Sequence, residues 1–129
     1  MEPQIVELDN LDRLVALFCD VEQRNFENAL DPLVDMVSKS ARVALALSDH
    51  DRFLRGLARR LMLPRAIVRK NLLQMLRMVL RQSSRPIEMV QHYGLKPMIH
   101  SFSKDSAQVL VMEIANQLIQ DINSWETFG

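Results

Sequence analysis

RFLRGLARRLMLPRAIVRKNLLQMLRMVLRQSSR, residues 52–85, reads as two helices separated by a proline. Phe53, Leu57 and Leu61 recur at four-residue steps before Pro64. After it, Val68, Leu72, Met75, Leu76 and Val79 follow the i, i+3, i+4 spacing of one buried helix face. Pro64 falls where a break is required, because proline lacks the backbone N–H and crowds the preceding turn. The same 34 residues hold ten positive charges and no acid.

Working outward, the pattern recurs. Sliding the chain by 42 residues places Phe53 on Leu95, Leu57 on Ile99, Val68 on Leu110, Leu72 on Ile114 and Leu76 on Leu118. Sliding it back by the same step places Phe53 on Leu11, Leu57 on Val15, Leu61 on Cys19, Val68 on Phe26, Leu72 on Leu30 and Leu76 on Val34. The first stripe is Leu11, Leu14, Val15 and Phe18, and the last runs Ala107, Leu110, Val111, Ile114, Ala115, Leu118 and Ile122. Asp105 or Ser106 is expected to cap that last helix, Pro86 to open a first turn, and Gly94 to stop a helix. Pro32 falls inside the long helix of the first repeat, which must kink there or restart with Asp31 as its cap. A period near 42 built from helices predicts an all-α armadillo or HEAT-like α-solenoid of about three repeats, at approximately 8–39, 40–81 and 82–124, within one domain of residues 1–129.

Composition agrees with a folded soluble domain, at 48% hydrophobic and 25% charged residues. The start MEPQIVELDN is acidic, unlike a secretory signal, and no apolar run approaches a membrane span. Cys19 is the single cysteine, which excludes a disulfide framework or a cysteine-based zinc site within one copy. A reducing, cytoplasmic setting is therefore expected. His50, His92 and His100 show neither HExxH nor any other metal spacing, and the 42-residue step sets His50 on His92, as structural positions would be. Cys19 falls on Leu61 and reads as a small buried hydrophobe. Neither an enzyme nor a cofactor is expected.

Zero net charge hides a segregation. Residues 1–51 carry eleven acids and four bases, residues 52–87 ten bases alone, and residues 88–129 five acids and two bases. Lys70, Gln74, Arg77 and Arg81 form one row along the long middle helix, with Asn71 beside it, while Arg55, Arg59 and Arg69 make a second patch. A row of arginines suits an acidic or phosphorylated protein segment, because guanidinium forks pair carboxylate and phosphate bidentately. Nucleic acid is disfavoured, since Phe53 is the only aromatic residue from Arg52 to Arg85 and stacking platforms are missing. A membrane-surface helix is disfavoured too, because its apolar stripe is committed to repeat stacking. The remaining alternative is that these arginines are solvated, or pair with the acidic first repeat and Glu88.

Two quoted stretches carry a resemblance. HYGLKPMIHSFSKDSAQVLVMEIANQLIQDI, residues 92–122, resembles an armadillo repeat: a short helix ending in glycine, a second opening on an apolar-x-Pro step, a polar turn and a long third helix. FLRGLARRLMLPRAIVRKNLLQMLRMV and LDRLVALFCDVEQRNFENALDPLV resemble more narrowly the C-terminal armadillo region of septation-initiation and mitotic-exit protein kinases, including the plant mitogen-activated kinase kinase kinase epsilon class. That resemblance implies a non-catalytic part of a cytokinesis-pathway kinase; the chain itself shows no glycine-rich loop, HRD or DFG. It implies partners such as a small GTPase or a scaffold, and a place at the spindle pole or division site. It implies third helices that line a concave surface, so the row from Lys70 to Arg81 is expected to face a groove. Peptide-binding armadillo proteins resemble one another in a ladder of asparagines, but Asn71 falls on Glu113 and Ala29, so that ladder is missing. Trp125 and Phe128 near the last helix are expected to leave an apolar patch for homodimerisation or docking.

Overall fold

A computed structural model describes the backbone of residues 3–128 and the side chains of residues 10–127. Within these limits the chain is all-α, with eight helices and no strand. They are α1 (Pro3–Phe18), α2 (Gln23–Lys39), α3 (Ala41–Ser48), α4 (Asp51–Leu61), α5 (Ala66–Gln82), α6 (Pro86–His92), α7 (Leu95–Ser103) and α8 (Val109–Phe128). After the α1–α2 pair, lengths run short, medium, long twice over: 8, 11 and 17 residues, then 7, 9 and 20.

The boundaries follow from local chemistry. The Ser40 hydroxyl accepts from the Val43 N–H, and the His50 Nδ1 accepts from the Phe53 N–H at 3.2 Å, so each satisfies an orphan donor of a helix start. Pro64 lies in the break between α4 and α5, and Pro86 opens α6. Gly94 has φ +62°, the left-handed conformation that ends α6 and turns the chain into α7. An added Cβ there meets nothing within 4 Å, so the penalty for substitution lies in the backbone alone. Gly94→Ala is expected to lower unfolding stability by about 1 kcal/mol, read as a shifted urea midpoint at constant slope.

Two expectations are corrected. The last helix begins at Val109, not beside Asp105 or Ser106; the Asp105 carboxylate instead accepts from the Ala107 N–H and shapes the turn ahead of α8. Ala107 and Leu110 consequently stand exposed, and the buried stripe is Val111, Ile114, Ala115, Leu118 and Ile122. Pro32 does not restart α2. The helix runs through it with the ring on the exposed side, where the missing N–H costs least.

Packing is serial. α1 lies on α2, α4 on α5 and α7 on α8, while α2 packs on α5 and α5 on α8. α3 and α6 brace these layers, α3 against α2, α4 and α5, and α6 against α5, α7 and α8. Flanked on both sides, α5 buries Leu73 and Leu80 in addition to the predicted Val68, Leu72, Met75, Leu76 and Val79. Each such side chain contributes roughly 1.5–3 kcal/mol when fully buried. Phe18 from α1, Phe26 from α2 and Phe53 from α4 form an aromatic knot at one end, with Phe18 centred 5.1 and 5.0 Å from the other rings. At the opposite end Trp125 is half-buried against the core, and the Phe128 side chain lies outside the described residues.

Candidate functional site

Long charged side chains on a helix choose partners by reach, and the arginines of residues 52–85 divide accordingly. Four of them bridge layers. Arg60 donates to the Gln23 Oε1 and the Asp20 carbonyl and lies 4.3 Å over the Phe26 ring, tying α4 to the α1–α2 turn. Arg65 pairs with Glu27 of α2. Arg69 caps the end of α4, with Nε donating to the Leu61 carbonyl at 2.9 Å and Nη2 to Met62, and it reaches Gln108 as well. Arg77 holds α8, with Nε 2.7 Å from Asp121 Oδ2 and Nη1 2.8 Å from Gln117 Oε1. Arg55 pairs with Asp51 within α4, and Arg85, at the N-cap of α6, pairs with Glu88. Among the described residues, Arg52, Arg59, Lys70 and Arg81 have no carboxylate partner.

The predicted row does converge in part. Gln74, Arg77 and Arg81 line one cleft of about 320 Å³, together with Val34 and Ser38 of α2 and Ile114 and Gln117 of α8. Arg81, Met78 and Ser38 continue into a neighbouring cleft of about 390 Å³ over α3. The two make a furrow across three long helices, with amide and guanidinium groups over an aliphatic and methionine floor. Arg81 is exposed there and offers an unengaged fork, whereas Arg77 supplies charge while already holding Asp121. Lys70 and Asn71 are half-buried and lie outside this cleft.

Arg55 and Arg59 line a separate depression of about 220 Å³ beside Arg52 and Cys19. Arg69 does not join them; its guanidinium lies 4.5 Å over the Phe102 ring. Burial pushes the Cys19 thiol up, and the nearby Arg52, Arg59 and Arg60 only partly oppose it, so the neutral thiol is favoured. Asp51, which accepts from the Tyr93 hydroxyl at 2.7 Å, is held below the usual carboxylate range by that bond and by Arg55. Burial and Asp51 push the Tyr93 phenol up to about 12. Among the described residues no three His, Cys, Asp or Glu side chains converge as metal ligands.

Sequence reasoning missed the other half of the furrow, Val34, Ser38, Ile114 and Gln117. The signal was available in the flanking long helices. Their buried stripes, once placed on either side of α5, leave these positions at its rim.

No family model and no solved structure matches the chain. It is 30% identical over 118 residues to the "Cytokinesis protein sepH" of Aspergillus terreus, covering 92% of this chain and 9% of that protein. The protein of the same name from Emericella nidulans is 33% identical over 104 residues, with 81% of this chain and 8% of that one covered. The one from Aspergillus niger is 31% identical over 118 residues. The chain therefore spans less than a tenth of the length of the curated relatives it matches.

Proposed function

We propose that this chain is a non-catalytic protein-interaction module, an armadillo-like solenoid of about three repeats that docks a cytokinesis or septation signalling kinase onto a partner. The similarity to cytokinesis proteins over most of the chain supports the setting. The serial packing of α2, α5 and α8, braced by short helices at repeating positions, supports the architecture. The observation that carries the docking role is the furrow, in which Gln74, Arg77 and Arg81 of α5 meet Val34 and Ser38 of α2 and Ile114 and Gln117 of α8. Its occupant is an acidic or phosphorylated segment of a protein, such as a scaffold or small GTPase.

Arg81→Glu is the variant of choice, because Arg81 is exposed and makes no ion pair among the described residues. Proteins retained from cell extract by the immobilised chain and released at graded salt are expected to fall by about tenfold for Arg81→Glu. Equal retention by the variant overturns the reading. Oligonucleotide binding whose affinity falls steeply with salt, and which Arg81→Glu abolishes, replaces it with a nucleic-acid module.

A further inference from the structure

One face of α4 is a line of arginines. Arg52, Arg55 and Arg59 follow i, i+3 and i+7, so their side chains leave the helix on the same side. Together with Asp51, Gly56 and Cys19 they line a hollow of about 220 Å³ between α4 and the residue that follows α1. Asp51 is the one acid of that lining, and Arg55 holds it through Nε at 2.9 Å. Arg52 and Arg59 are exposed and have no carboxylate partner among the described residues. Three positive charges therefore face one negative charge around the hollow.

The floor of the hollow breaks a rule of helix composition. Gly56 lies in the interior of α4, where glycine weakens a helix relative to alanine. Its φ is not left-handed, and an added Cβ would meet the Cys19 Sγ and the Phe18 Cε1 at 3.6 Å, an ordinary contact distance. Packing thus tolerates a methyl group there. What the methyl would change is the floor, because Gly56 and Cys19 both line it. That floor is also uncharged. The Cys19 thiol donates to the Arg52 carbonyl at 3.6 Å, and burial favours its neutral form over the pull of Arg52, Arg59 and Arg60. No thiolate occupies the arginines.

We infer that this hollow binds the phosphate monoester of a phosphorylated serine or threonine on a partner protein. Charge selects the group. The surplus in the lining matches the charge of about −1.5 to −2 that a monoester carries at neutral pH, whereas a carboxylate or a phosphodiester carries a single negative charge. Oxygen count selects it again, since a monoester presents three terminal oxygens to three guanidinium groups, and a carboxylate or diester presents two. Neither an aliphatic side chain that could enter a bilayer nor an aromatic ring that could stack on a base lines the hollow. Asp20 stands outside the lining and keeps its charge near Arg52, but Arg60, which donates to the Asp20 carbonyl, offsets it. The hollow shares no residue with the furrow of α2, α5 and α8, and its assignment does not rest on that reading.

The test is fluorescence anisotropy of the full chain with a labelled glycine peptide carrying one phosphoserine, and with the same peptide unphosphorylated. The phosphorylated peptide is expected to bind about tenfold more tightly, and Arg52→Gln/Arg59→Gln to remove about that factor. Both arginines are exposed, so the double variant is expected to melt close to the wild-type temperature by circular dichroism. Gly56→Ala is expected to melt higher while binding the phosphopeptide about threefold more weakly, opposite signs that a merely structural glycine would not give. Equal binding of the two peptides by the wild type overturns the inference, as does full binding by the double variant. A loss produced by Arg81→Glu and not by the double variant also overturns it and moves the phosphate to the furrow. Equal affinity for a labelled dithymidine phosphodiester overturns the choice of a monoester. Pelleting with phosphatidic acid vesicles, without affinity for the phosphopeptide, overturns the protein source and reassigns the hollow to a lipid headgroup.

Discussion

Phe18→Ala is expected to lower the free energy of unfolding by about 4 kcal/mol. The ring is fully buried and stands between Phe26 of α2 and Phe53 of α4, with centroids 5.1 and 5.0 Å away. Alanine removes the transfer free energy of the ring, the two aromatic contacts and the filling of a space that its neighbours cannot close. Gly56 of α4 sits against that ring, with a Cβ position only 3.6 Å from Phe18. The collapse needed to heal the cavity would have to move α4, which is anchored on α5. Urea denaturation followed by circular dichroism measures the loss, and Phe18→Leu is expected to recover more than half of it. A loss below about 1 kcal/mol would mean that α1 is not held by this aromatic knot.

Arg69→Ala is expected to cost somewhat less, about 3 kcal/mol. One guanidinium satisfies the carbonyls of Leu61 and Met62, where α4 ends, and the side chain of Gln108 ahead of α8. Hydrogen bonds from a charged donor contribute about 1.5–3 kcal/mol each, but the Met62 carbonyl is at the surface and regains water when the arginine is removed. The stacking on Phe102 is also lost. Arg69→Lys is expected to recover little, because one ammonium on a flexible stem cannot reach three acceptors in diverging directions. If the lysine variant matches wild type in a denaturant melt, the planar fork is not what holds the α4–α5 and α7–α8 turns together.

What could be read in the sequence was whatever periodicity and backbone chemistry decide locally. The stripe from Val68 to Val79, the break at Pro64 and the left-handed Gly94 all follow from spacing or from one residue's own conformational limits. The start of α8 did not, because Asp105 serves a turn as readily as a helix, and only the fit of α8 against α7 selects between them. Leu73 and Leu80 were missed because a second buried face appears only when a helix is flanked on both sides. The convergence of Gln74, Arg77 and Arg81 was legible as a row along one helix. The commitment of Arg77 to Asp121, and of Arg60 and Arg69 to neighbouring turns, was not. A side chain with four rotatable bonds picks its partner from whatever the fold brings within reach, and those partners lie 37 to 44 residues away for Arg60, Arg69 and Arg77 when they belong to another layer.

The bridging arginines have a practical consequence for anyone dissecting the molecule. Glu27 and Asp121, which neutralise Arg65 and Arg77, come from the first and last thirds of the chain. A middle third expressed alone would be a polycation stripped of its counterions, and it would adhere to any polyanion in the tube. Adhesion of that kind would report the amputation of its neighbours and not a native affinity.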